Sequence, residues 1–148
     1  MMAKRDAHTT AFNDYVRALT LDPSDTQALD GFVRSAVLMR RSGDALSWFT
    51  TLTADRSPAP LTLVARSKLL AATGSAEEAL DVARRASRAE PVTVEAFEQV
   101  ATLLADAGDT VRLDATVEGL RQIAPHKASS SYFAAVSAFL RGRADEAV

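Results

Sequence analysis

The sequence predicts an all-α chain: an α-α superhelix, or solenoid, of antiparallel helix pairs, about 8-9 helices in all. Three observations predict it. Gly74, Gly108 and Gly142 stand 34 residues apart. Pro91 and Pro125 keep the same interval, with Pro23 and Pro58 close to the same beat further up the chain. Small or apolar residues recur at fixed offsets from these marks, as a repeated helix pair requires.

The stretch from Leu70 to Pro91 shows how each unit is built. Ala71 and Ala72 end one helix, and Gly74 can take the left-handed turn conformation. Ser75 is placed to cap, and Glu77 and Glu78 suit the first turn of the next helix, where backbone N–H groups favour negative charge. Pro91 stops that helix, because proline lacks the N–H and disfavours helix in the residue before it. Five and twelve residues after the turn stand Ala79 and Ala86 in this unit, Leu113 and Leu120 in the next, while Ala147 opens the last. Ala11, Tyr15 and Ala18 precede Pro23 in the same way, as Ala45, Phe49 and Leu52 precede Ser57. Helices are expected at about 5–21, 26–41, 44–55, 60–72, 76–89, 93–106, 110–123 and 128–141, with a ninth from Arg143. No turn of the Asn-Gly type lies between alternating apolar runs, and Asp30-Gly31 falls inside a helical pattern, so no strand competes.

These residues carry a resemblance: the chain is similar to a tetratricopeptide repeat (TPR) array. The period, small residues, turn glycine and closing proline match across essentially all 148 residues. The closest stretch is Ala11-Phe-Asn-Asp-Tyr15-Val-Arg-Ala18-Leu-Thr-Leu-Asp22-Pro23, which looks like a second TPR helix. The resemblance divides the chain into a second helix at 1–25, repeats at 26–59, 60–93 and 94–127, and an incomplete repeat at 128–148. Some positions depart from the pattern. Arg40 stands where the turn glycine is expected and Gly43 comes three residues late; Arg66 occupies a usually apolar place, and Gly119 sits inside a helix. Because both ends cut a repeat and no polar capping helix is visible, the chain is expected to be an excerpt of a longer protein.

Composition excludes several function classes. The chain is 47% apolar, 24% charged and carries a net charge of −2, so it lacks the basic footprint of a nucleic-acid binder. No apolar run approaches a membrane span and no signal core opens the chain; no membrane partner is expected. The absence of cysteine removes disulfides and thiol chemistry and fits cytoplasm or periplasm, with cytoplasm slightly favoured. Catalytic, cofactor and metal sites are expected to be absent. His8 and His126 have no second ligand at helical spacing, and no phosphate loop, Gly-x-Ser-x-Gly elbow or His-Glu-x-x-His occurs. Carboxylates such as Glu77-Glu78 and Asp145-Glu146 open helices. Phe49 falls on a packing register, with Trp48 half exposed beside it.

The resemblance implies that the first helix of each pair lines a concave groove that takes an extended peptide or partner helix. Carried over by offset, the groove holds Gln27, Asp30, Arg34 and Val37, then Leu61, Val64, Lys68 and Ala71. Glu95, Glu98, Gln99, Thr102 and Asp106 follow, then Ser129, Tyr132, Phe133, Val136 and Phe139. The TPR subgroup that grips the C-terminal carboxylate of chaperones needs Lys, Asn and Arg here, whereas these places hold Asp30, Arg34, Ala65, Glu95 and Gln99; that ligand is not expected. Residues 94–127 hold three Lys or Arg against six Asp or Glu, which favours a basic partner segment near this repeat. Tyr132, Phe133, Phe139 and Leu140 read either as an aromatic hot spot or as surface awaiting a further helix, the reading preferred because the chain ends just beyond them. On that reading this end associates with another copy. The expected function is a protein-interaction scaffold. The alternative is the TPR region of a multidomain enzyme, of glycosyltransferase, sulfatase or methyltransferase type, presenting substrate to a catalytic domain elsewhere.

Overall fold

The computed structural model describes residues 2–54 and 57–146, with the side chains of residues 2–6 and of Glu146 left aside. The expected end of a helix at Asp55 and the packing place of Ala147 lie outside the described residues. Eight helices follow one another: α1 (Met2–Leu21), α2 (Thr26–Leu38), α3 (Ser42–Thr53), α4 (Pro60–Ala72), α5 (Ala76–Arg88), α6 (Val94–Asp106), α7 (Thr110–Ile123) and α8 (Ser129–Glu146). Among the described residues there is no strand.

Each helix forms for local reasons that the neighbouring helices then exploit. In α5, Ala79, Val82, Ala83 and Ala86 form a buried stripe at helical spacing, Glu77 and Glu78 occupy the first turn, and Arg85 and Arg88 the last. Ala79 and Ala86 are fully buried, so the small residues at these offsets set how closely helices approach. Pro60 opens α4, where its missing N–H would have had no helical partner. Asp25 caps α2 and Asp109 caps α7, accepting from the backbone N–H of Ala28 and Arg112 at 3.1 Å each. Ser75, expected to cap α5, makes no such side-chain bond.

The turns explain the displaced glycine. Gly74 and Gly108 have φ of +89° and +71°, and Arg40, 34 residues before Gly74, has φ of +55°. All three end their helix in the same way. Arg41, Ser75 and Asp109 donate backbone N–H bonds five residues back to Ala36, Leu70 and Leu104, at 2.8, 3.0 and 2.9 Å. Arg40, Gly74 and Gly108 themselves bond three back, to Val37, Ala71 and Ala105. The turn therefore keeps its place and an arginine occupies the left-handed position, ending α2 at Leu38 rather than near residue 41. Gly43 lies inside the first turn of α3 and has no turn role. The ninth helix does not form: α8 continues through Gly142 to Glu146.

Two side-chain clusters make up the core. One surrounds Phe32, which stacks on Phe12 at 5.3 Å and contacts Trp48 and Phe49 at 5.3 and 5.8 Å between ring centres. Phe49 is fully buried and Trp48 half buried, as the sequence predicts. Tyr15 lies against Gly31, where an added Cβ would meet the ring at 2.2 Å. The second cluster joins α4 to α8 through Leu63, Leu104, Leu113, Leu120 and Phe133, each burial worth about 1.5–3 kcal/mol.

The helices are layered unequally. Helix α2 packs on α4, α4 on α6 and α6 on α8, so the even-numbered helices form an unbroken inner layer. The odd-numbered helices make their substantial contacts with sequence neighbours rather than with one another. A layer whose members touch directly is the shorter side of the stack, so the even-numbered helices bound the concave face.

Candidate functional site

A recess of about 260 Å³ opens where α2, α4 and α6 meet. Its lining is Thr26, Leu29, Asp30 and Val33 from α2, Leu61, Val64, Ala65 and Lys68 from α4, and Glu95 from α6. Leu29, Val33, Val64 and Ala65 are buried, so the floor is apolar. Asp30, Lys68 and Glu95 are exposed, so the rim is charged. An apolar floor with a few polar groups at the edge suits an aliphatic or aromatic side chain carried on a polar backbone.

The structure brings Asp30, Val64, Lys68 and Glu95 together at this recess. Arg34 lies outside it and reaches back to Asp30, its Nη2 donating to Oδ2 at 2.5 Å across one helical turn. Asp30 is thereby partly neutralised. Thr26, Leu29 and Val33 were not anticipated: the groove face of α2 is turned by one residue from the offset series Gln27, Asp30, Arg34, Val37. Their spacing of three and four residues is the signal that identifies them.

On α6 the acidic character is real and uncompensated. Glu95 and Asp106 are exposed and Glu98 half buried, and none of the ion pairs among the described residues involves them. Thr102 is exposed, its hydroxyl donating to the Glu98 carbonyl at 2.9 Å. Gln99 does not face the groove. It is 7% exposed, and its Nε2 donates to Ser67 Oγ at 3.2 Å, while that hydroxyl donates to the Ala79 carbonyl at 2.7 Å. This buried chain ties α6, α4 and α5 together, and a groove offset carries no information about it.

The aromatic group on α8 divides. Phe133 is buried against the second core cluster, with Leu140 partly buried beside it. Tyr132 and Phe139 are each 63% exposed and lie seven residues apart, on one helical face. The Tyr132 ring meets Phe133 edge-on at 5.0 Å, and the Arg143 guanidinium sits 5.9 Å from the centre of Phe139. Opposite, Ser137 donates to Asp114 Oδ1 at 2.6 Å and Arg141 contacts the other carboxylate oxygen, fixing α8 on α7.

The carboxyl of Asp109 is held below the ordinary aspartate range, first by the backbone N–H of Arg112 and then by that residue's guanidinium, whose Nε donates to Oδ2 at 2.5 Å. His8 and His126 are exposed. Among the described residues no three His, Cys, Asp or Glu gather as metal ligands, and no helix is long and apolar enough to cross a membrane.

No protein-family model matches the sequence, and no curated protein does either. Solved structures do match. A TPR protein of Thermus thermophilus, TTC0263, superposes with a TM-score of 0.70 at 22% identity, over 99% of this chain and 80% of that one. YrrB, described as a TPR protein with an unusual peptide-binding site, gives 0.63 at 20% identity, over 95% and 73%. A tetratricopeptide repeat protein of Parabacteroides merdae gives 0.70 at 16% identity, over 97% of this chain and 57% of that chain. With its 34-residue turns, paired helices and inner layer of even-numbered helices, the chain has the tetratricopeptide repeat fold.

Proposed function

We propose that this chain is a protein-interaction scaffold whose concave face holds an extended peptide or protein segment. The observation that carries the reading is the recess between α2, α4 and α6, apolar at its floor and charged at its rim. A bound segment places one apolar side chain in the recess. Its basic residues run along α6, where Glu95, Glu98 and Asp106 join no ion pair among the described residues. The description of YrrB as a peptide-binding TPR protein supports the same use of a shared architecture.

Peptides selected from a random display library against the intact chain test this. Enrichment of an apolar residue flanked by Lys or Arg is expected, with affinity that weakens as salt rises. Leu61→Lys places a long cation over the recess from a half-buried position and is expected to weaken selected peptides at least about tenfold, close to 1.4 kcal/mol, with the helical circular-dichroism signal retained. Selected binders that ignore this substitution would place the interaction elsewhere and remove the proposal.

A further inference from the structure

We infer that the cleft between α3, α4 and α5 is a binding site for a phosphate group, on the side of α4 turned away from the concave groove. The cleft measures about 320 Å³, and Arg66, Arg85, Thr50 and Thr62 contribute its polar lining together with Thr53. Among the described residues that line it there is no carboxylate.

Arg66 is the reason to look here. One repeat earlier its place is taken by Phe32 and one repeat later by Val100, both buried core residues. A guanidinium in a position its sister repeats fill with hydrocarbon is costly unless its donors are used. Arg66 is half-buried and Arg85 exposed, yet among the described residues the buried Arg66 Nε has no hydrogen-bond partner and neither arginine takes part in an ion pair. An unmet buried N–H on a permanently charged group calls for a ligand that supplies oxygen and negative charge.

The chemistry of the donors selects the anion. Each guanidinium offers a planar fork that fits two oxygens of one phosphate, and the two together carry the charge that a phosphate dianion neutralises. A carboxylate has one charge and two oxygens and leaves one fork unmet. Thr62, 5% exposed, adds a hydroxyl from the first turn of α4. Thr53 already donates its hydroxyl to the Phe49 carbonyl at 2.8 Å, which leaves it as an acceptor only. Along α4, Leu61, Val64 and Lys68 share the groove face, and Arg66, two residues from both Val64 and Lys68, points to the other side.

The test is an NMR titration of the arginine Nε–Hε signals of the whole chain, at constant ionic strength held with chloride. Inorganic phosphate, the tripeptide Ala-phosphoserine-Ala and acetate are the three probes. Phosphate is expected to shift the Arg66 and Arg85 signals saturably, with acetate at least tenfold weaker. Arg85→Met is expected to raise the phosphate Kd at least tenfold. Arg66→Met, apolar like its counterparts in the sister repeats, is expected to fold and to abolish the rise in Tm that phosphate gives the parent chain. Tighter binding of the tripeptide supports the site with a phosphorylated segment as its source, and equal binding supports it with free phosphate as its source. Absence of a saturable shift, equal response to acetate, or an unchanged Kd in Arg85→Met overturns the inference.

Discussion

Replacing Arg40 with glycine is expected to stabilise the protein, although it deletes a charged side chain and lowers helix propensity next to a helix. Arg40 holds φ of +55°, a conformation that costs a residue with a Cβ about 1–2 kcal/mol relative to glycine. Glycine loses more backbone freedom on folding, which takes back about 0.5–1 kcal/mol. The Arg40 side chain is exposed and joins no ion pair among the described residues, so nothing else is lost. The net gain lies between about 0 and about 1.5 kcal/mol, and each kcal/mol raises Tm by roughly 2–4 °C for a chain of this size. Gly43→Ala supplies the control. Gly43 sits in the first turn of α3 with nothing within 4 Å of an added Cβ, so alanine there is expected to gain up to about 0.5–1 kcal/mol. Urea unfolding followed by circular dichroism, with m compared across variants, reads both. If Gly43 were the turn residue, both substitutions would lower the midpoint; a fall in both refutes the assignment of the turn to Arg40.

Further outcomes follow from the same contacts. Gly31→Ala drives a methyl group into the Tyr15 ring and is expected to cost about 1–3 kcal/mol, offset by up to about 1 kcal/mol of helix propensity, in the same urea assay. Ser67→Ala strands the Gln99 amide and is expected to cost about 1–3 kcal/mol, while adding Gln99→Leu restores part of it; additive losses in that double-mutant cycle would deny the coupling. The lowered carboxyl of Asp109 contributes stability that is complete above the ordinary aspartate value of 3.8 and is lost as pH falls through its folded value. Asp109→Asn is therefore expected to flatten the loss of urea midpoint that sets in as pH falls below the ordinary aspartate value of 3.8, and to leave the midpoint's pH dependence above it unchanged. Association of the C-terminal end through the exposed Tyr132 and Phe139 predicts a dimer in sedimentation velocity at high concentration that Tyr132→Ser with Phe139→Ser removes; a monomer throughout counts against it.

Spacing made α4 and α7 legible to the residue: 60–72 and 110–123 are the observed bounds. It also located the turns at Gly74 and Gly108, but not at Gly142, where α8 continues without a break. It did not show that Arg40 would accept the left-handed conformation, because the bonds from Arg41 to Ala36 and from Arg40 to Val37 stabilise the turn whatever the side chain. The face of α4 that lines the recess was readable in part, since Leu61, Val64 and Lys68 line it and Ala71 does not. The face of α2 was not, because rotation about a helix axis is set by neighbours on both sides. Gln99 and Phe133 share the reason: each is drawn inward by a partner, Ser67 or the second core cluster, that sequence offset does not encode.

Helix α4 connects the two sites argued above. A helix with its side chains is about 10–12 Å across, so the groove recess on one side and the arginine cleft on the other are neighbours without shared lining residues. Sites on opposite faces of one rigid helix exchange free energy only if a ligand moves that helix. Tied by Ser67 to α5 and α6, α4 has little freedom to move. Leu61→Lys should therefore weaken peptide and leave phosphate untouched, and Arg85→Met should do the reverse. A loss of both in either variant would mean that α4 shifts when one face is occupied, and the array would then be a coupled device rather than two independent surfaces.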